Sequence, residues 1–149
     1  MGDGKDEGFW ELAQSGFMPA IEALPGFNRS VLEAYGLRCA ISGERFLAEP
    51  AQPHPHLEVV AIRPLALGGA VSIGNCLALE QQIARHFRRG IIQIDEDFRV
   101  VVAEPAALEP AIRPHVIAGR VLFLPALPEH WPGLASLAFH RRLFARDAR

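Results

Sequence analysis

The spacing of apolar residues changes several times along the chain, and each spacing predicts a different element. Residues 59–90, VVAIRPLALGGAVSIGNCLALEQQIARHFRRG, have the pattern of a strand, a glycine-containing turn, a second strand and a helix. Leu79, Ile83 and Phe87 are spaced by four before Gly90, so CLALEQQIARHFRRG predicts a helix that lies on the sheet. In IIQIDEDFRVVV, two β-rich runs flank three acidic residues and predict a hairpin.

The flanking segments predict further elements. The run FWELAQSGFMPAIEAL offers apolar residues for one or two short helices, which we expect to end at Pro25-Gly26. In SVLEAYG, the pair Ser30 and Glu33 predicts a capping box, and Gly36 fits the C′ position of that helix. Three more segments are predicted: strands in CAISGERF and GRVLFLP, and a closing helix in PGLASLAFHRRLFARDAR. This order of helices and strands predicts a small α+β domain.

Size and composition indicate an ordinary globular protein. A chain of 149 residues suits one compact domain, which we expect over residues 28–149 after an N-terminal helical extension over residues 1–27. The two cysteines, Cys39 and Cys76, form neither a disulfide framework nor a CxxC knuckle. No signal peptide and no apolar run of about 20 residues is present, so we expect a cytoplasmic protein without membrane contact.

The charge is distributed unevenly. Residues 1–75 hold 5 basic and 9 acidic side chains (net -4), whereas residues 76–149 hold 10 and 8 (net +2), which add to the overall -2. The basic residues of the second half are all arginine, whose guanidinium grips a phosphate with two parallel donors. The pattern allows a phosphate-binding surface in the second half, and a solvated basic face is the alternative.

Several segments together resemble the HNH endonuclease family, in its restriction-endonuclease type. They are, in order, VLEAYGLRCAISG, LEVVAIRP, a glycine-containing loop to NCLAL, HFRRGIIQID and LAFHRRLF, and they cover about residues 29–145. The resemblance implies a ββα-metal fold, that is, an HNH-like ββα core with an added β-hairpin and flanking helices. It also implies metal-dependent hydrolysis of DNA, with a histidine base, a divalent ion and an asparagine that orders the site.

The resemblance places the family's site on four positions. The base falls at Ala61, the asparagine at Asn75, and the metal ligands near Ile83 and at Arg88. Alanine has no proton acceptor, and neither isoleucine nor arginine can hold Mg²⁺, which prefers oxygen ligands. Only Asn75 matches, so we expect a degenerate catalytic site with no metal and no cofactor.

Other histidines could replace the missing groups. His86 lies three residues after Ile83, close to the same helix face, and is the candidate substitute. Together with Asn75 and either His54 or His56, it could form a rebuilt site that uses Mg²⁺ or another divalent metal. His140 is expected to be structural.

Three functional hypotheses remain open. In the first, the domain has lost hydrolysis and binds double-stranded DNA through residues of the two predicted helices: Arg85, His86, Arg88, Arg89, Arg141 and Arg142. In the second, it is a protein-interaction module or homodimer without DNA binding, for which Trp10, Trp131 and the Pro-rich loops provide surface. In the third, it is an active metal-dependent endonuclease with the rebuilt site.

Overall fold

The computed structural model describes residue 21, residues 24–46 and residues 56–145 of the chain. Within these ranges, α-helices and small antiparallel sheets alternate, which confirms the predicted α+β class. The helices are α1 (Pro25–Ala34), α2 (Gln81–Arg88) and α3 (Leu134–Ala145), and the strands are β1 (Leu57–Ala61), β2 (Cys76–Glu80), β3 (Ile92–Ile94) and β4 (Val100–Val102). The helices expected in residues 9–24 and the loop that holds His54 lie largely outside the described residues.

The first hairpin, β1–β2, is at the centre of the domain. Its antiparallel register runs from Leu57 opposite Glu80 to Ala61 opposite Cys76. Residues 76–79 are consecutive and all buried, so both faces of β2 are covered, and α1 and α2 both pack on this hairpin. The apolar side chains of β1 and β2 therefore supply much of the core.

Helix α2 begins directly where β2 ends. The side chain of Glu80 accepts hydrogen bonds from the backbone N–H groups of Gln82 and Ile83, at 2.8 and 3.1 Å, which caps the helix. The Gln81 N–H donates to the His56 carbonyl at 2.8 Å and joins this corner to the start of β1. The helix predicted in CLALEQQIARHFRRG is therefore shorter than expected, because Leu79 and its neighbours pair with β1 instead.

The second hairpin agrees with its prediction. Strands β3 and β4 pair from Ile92 opposite Val102 to Ile94 opposite Val100. One carboxylate oxygen of Asp95 accepts from two backbone N–H groups of the turn, which fixes the hairpin tip. The strand predicted in GRVLFLP is reduced to a single bridge between Arg99 and Val121 beside β4.

Two predictions near the first helix are wrong. The helix predicted to begin after Ser30 begins at Pro25 instead, because proline lacks only an N–H that the first turn leaves unpaired. Ser30 lies inside the helix, where its hydroxyl donates to the Gly26 carbonyl, so Ser30 and Glu33 form no capping box. Gly36 does follow the helix end with φ +66°, as predicted.

Two smaller differences concern the segments on either side of that helix end. The strand predicted in CAISGERF is a single bridge between Arg38 and Arg45 around a turn. Residue 27, after which we expect the N-terminal extension to end, lies inside α1, and the division of the chain stays a prediction. No helix of the described ranges is both long and apolar enough to cross a lipid bilayer.

His140 joins α3 to α2. Its ring stacks on Phe87 with centroids 3.9 Å apart and an interplanar angle of 2°, and its Nε2–H donates to the Phe87 carbonyl at 2.8 Å. Beside it, the ring of Phe144 covers Gly90, which has φ +75° and no room for a Cβ. Burial lowers the pKa of His140 to about 4, against the opposing effect of the Phe87 hydrogen bond. The ring is therefore neutral at pH 7.

The first prediction follows from the low pKa of His140. Between pH 6.5 and 4 the unfolded chain protonates this ring while the folded chain does not, so the stabilisation is complete above about pH 6.5 and is lost as the pH falls to 4. The loss amounts to about 3 kcal/mol in the free energy of unfolding. Urea unfolding at pH 7.5 and 4.5 should show a clearly smaller pH dependence in His140→Gln than in the wild type. His130→Gln is the control, and an equal pH dependence in all three proteins would contradict the assignment.

Candidate functional site

The loop between β1 and β2 is closed by the side-chain amide of Asn75, which is only 3% exposed. Its Oδ1 accepts from the Arg63 N–H at 2.9 Å, and its Nδ2 donates to the carbonyls of Arg63 and Ala70 at 3.0 and 2.9 Å. Gly69 lies against this junction, since a Cβ there would be 1.8 Å from the Arg63 carbonyl oxygen. One amide thus fixes both ends of the loop.

Arg63 links the same loop to α3. Its Nε donates to the Leu67 carbonyl at 2.7 Å, and its guanidinium lies 4.3 Å from the ring centroid of Phe139. This cation–π contact is typical of an arginine that packs on an aromatic face. No local sequence pattern marks Arg63 in advance, because its partner Phe139 lies 76 residues further along the chain.

The three remaining family positions carry no catalytic or metal-binding group. Ala61 ends β1 opposite Cys76, and Ile83 is 1% exposed within the core. Arg88 donates from Nη1 to Glu58 Oε1 at 3.0 Å, a partly exposed ion pair between α2 and β1. These residues do not fit a divalent cation, because an isoleucine offers no ligand and a guanidinium repels the ion. Among the described residues, no three His, Cys, Asp or Glu side chains are grouped closely enough to bind a metal.

His86 is placed differently from the phosphate-facing position that we expected. The ring is 2% exposed, its Nε2 accepts from the Glu109 N–H at 3.3 Å, and its Nδ1 therefore carries the proton that it donates to the Gln82 carbonyl at 2.7 Å. Both nitrogens are used inside the protein, so the ring is a packing and bridging residue in this conformation. His56 is exposed, and its Nδ1 lies 3.2 Å from Gln81 Oε1. His54 lies outside the described residues.

Three exposed arginines lie near the end of α2. Arg85, Arg88 and Arg89 are all exposed, and we call these three residues the arginine face. Residues 85 and 89 are four apart and hence neighbours on the helix surface. Their position at the C-terminal end also stabilises α2, because the helix dipole is negative there. Arg142 adds an exposed guanidinium on α3.

Arg141 is also on α3 but is engaged within the fold. Its Nη1 donates to the Ile94 carbonyl at 2.7 Å, and its Nη2 lies 4.0 Å from Glu96. It therefore holds α3 to the second hairpin. Arg141 and Arg89 both line a cleft of about 260 Å³ between the ends of α2 and α3, which also contains Glu104.

A solved structure has the same fold as most of this chain. It is a modification-dependent TagI restriction endonuclease, which is similar over 79% of this chain with a TM-score of 0.58 and 24% sequence identity. The similarity covers 37% of the TagI chain, so this chain spans well under half of that protein. The similarity shows that this chain shares the fold of that part of the TagI protein. No family model and no curated protein matches the sequence.

The second prediction concerns Asn75. Asn75→Ala removes three hydrogen bonds and leaves the Arg63 N–H and the carbonyls of Arg63 and Ala70 without this partner. We expect a loss of about 2–4 kcal/mol in the free energy of unfolding. Ser72→Ala, in the same loop, is the control and should change stability by less than about 0.5 kcal/mol. Equal urea midpoints for the two variants would show that the amide does not close the loop.

Proposed function

We propose that this chain is an HNH-like nuclease domain that has lost metal-dependent DNA hydrolysis and binds duplex DNA through the arginine face and Arg142. This proposal rests on the side chains that stand at the site positions of the ββα frame. β1, β2 and α2 form this frame and Asn75 closes the loop between the two strands, whereas the positions that the resemblance assigns to the base and the metal ligands hold Ala61, Ile83 and Arg88. The fold shared with a restriction endonuclease supports a nuclease-like domain.

Loss of hydrolysis follows from the chemistry of these positions. Water is a poor nucleophile at neutral pH and needs a proton acceptor, which the Ala61 methyl group cannot provide. The charge that develops on the phosphate needs a cation, and Arg88 places a fixed positive charge where the family holds a metal ligand. Glu58 balances that charge from β1. A guanidinium of this kind can bind a phosphate oxygen but cannot activate water.

DNA binding rests on the exposed arginines. A guanidinium binds a phosphate with parallel N–H donors, and each phosphate that it neutralises releases condensed counterions. Arg85 and Arg89 present two such groups about one helical turn apart on the exposed side of α2. Arg141 is half-buried and His86 is buried, and both are engaged within the fold, so they are left out of the proposed contact. Arg88 pairs with Glu58 but remains exposed, so it is kept.

The third prediction tests this contact. The logarithm of the association constant for a 20-base-pair duplex should fall linearly with the logarithm of salt concentration, and chelators should have no effect. In Arg85→Ala/Arg89→Ala the slope should decrease by about 2, because each of the two guanidinium groups neutralises one phosphate. Arg29→Ala/Arg45→Ala, which removes the same charge from other parts of the surface, is the control. Fluorescence anisotropy gives both quantities, and identical slopes for the two double variants would contradict the proposal.

The fourth prediction tests hydrolysis directly. Supercoiled plasmid incubated with the protein and Mg²⁺, Mn²⁺ or Zn²⁺ should contain no more nicked product than the same mixture with EDTA. Metal-dependent nicking that persists through purification would overturn the loss of activity. If His86→Ala then abolished the nicking, the rebuilt site would be the correct hypothesis.

Protein association is the second candidate function, and one apolar surface favours it. Three large apolar side chains on this surface are exposed: Leu127 (51%), Trp131 (38%) and Leu134 (52%). The adjacent Gly133 N–H donates a hydrogen bond to the Gly74 carbonyl at 2.8 Å. Exposed apolar side chains that cluster in this way often mark an interface. A discrete dimer in light scattering that becomes a monomer in Leu127→Asp, together with no DNA binding, would favour this function instead.

A further inference from the structure

A second cavity lies at the opposite end of α2 from Arg88 and Arg89. It has a volume of about 400 Å³, within the range of small-molecule sites, and lies between the first turn of α2, the turn before Phe46 and the short helix over residues 110–115. Its lining includes Glu44, Phe46, Glu80, Gln81, Gln82 and His115. His56 and Ile83, which the rebuilt-site hypothesis and the family resemblance single out, also line this cavity, whereas the proposed DNA contact does not use it.

The lining favours a flat, neutral ligand that carries hydrogen-bond donors. Glu44 and Glu80 are both carboxylates, and the described lining contains no lysine or arginine, so a phosphate group would be repelled. Gln82 offers an amide that both donates and accepts, and Phe46 offers an aromatic surface. The Glu80 carboxylate is held in place because one oxygen already accepts two backbone N–H groups.

The cavity is close to the arginine face along a single helix. Gln81 and Gln82 line the cavity from the first turn, and Gln81, Arg85 and Arg89 follow one another at intervals of four on the surface of α2. A helix of 8 residues is about 12 Å long. Successive nucleotides of one duplex strand are about 3.4 Å apart, so a few nucleotides span the length of α2. A strand held by the arginines could therefore reach the cavity.

We propose that this cavity takes one unstacked adenine or cytosine from the nucleic acid held by the arginine face, an inference that rests on the proposed function. Carboxylates accept from the exocyclic amino groups of these two bases, and glutamine pairs with adenine by two hydrogen bonds. Thymine presents an oxygen at the corresponding position, which a carboxylate disfavours. The aromatic side chain of Phe46 provides a stacking surface, as in proteins that hold unpaired bases.

The fifth prediction uses four duplexes of one sequence: fully paired, and with a single unpaired A, C or T. In anisotropy titrations at fixed salt, the A and C duplexes should bind about tenfold more tightly than the paired and T duplexes. The T duplex also has one unpaired base and is the control for the flexibility that an unpaired base introduces. Glu44→Ala, which removes both acceptor oxygens of this exposed side chain, should reduce the preference to about twofold or less without changing the salt slope.

A second variant separates ligand binding from folding. Phe46→Leu should reduce the preference as Glu44→Ala does, and circular dichroism and urea unfolding test whether both variants fold. Equal affinity for the four duplexes, with the salt slope intact, would overturn the base site and leave the proposed DNA contact standing. A lack of binding to every duplex would overturn both proposals. A preference that both variants retain would also exclude this cavity as the site.

Discussion

The position of every candidate group depends on the closed loop between β1 and β2. Asn75 makes three hydrogen bonds that hold the ends of this loop together, and so it keeps the two strands in register. That register sets Glu80 beside His56, where α2 begins, and α2 in turn carries the arginine face. A single buried amide therefore positions a surface that it does not touch.

In the Arg88–Glu58 ion pair, the positive charge on α2 and the negative charge on β1 neutralise each other. A metal site needs several oxygen or nitrogen ligands and loses its charge balance when the ion leaves. Here one guanidinium and one carboxylate join α2 to β1 directly, and the pair is partly exposed, so its contribution to stability is modest. The frame is held together by apolar packing and by Asn75, with the pair as a local addition.

Local patterns predicted the elements, whereas long-range contacts decided the roles of the side chains. Both hairpins, the closing helix and the α+β class follow from residue spacing and turn chemistry, whereas Asn75 was identified by the family resemblance. The start of α2 was not predictable from spacing alone, because Leu79 fits a strand and a helix equally well. The burial of His86 depends on Glu109, 23 residues away, and the pairing of Arg88 depends on Glu58, 30 residues away.

Glu80 has three tasks at once, since it ends β2, caps α2 and forms part of the cavity wall. A substitution there would alter the start of the helix as well as the chemistry of the cavity. Glu44 and His115 are exposed and cap no helix. Substitutions at these two residues can therefore change the ligand preference without altering the start of α2. In this part of the molecule, the residue that caps the helix is the least free to change, and the exposed rim is the most free.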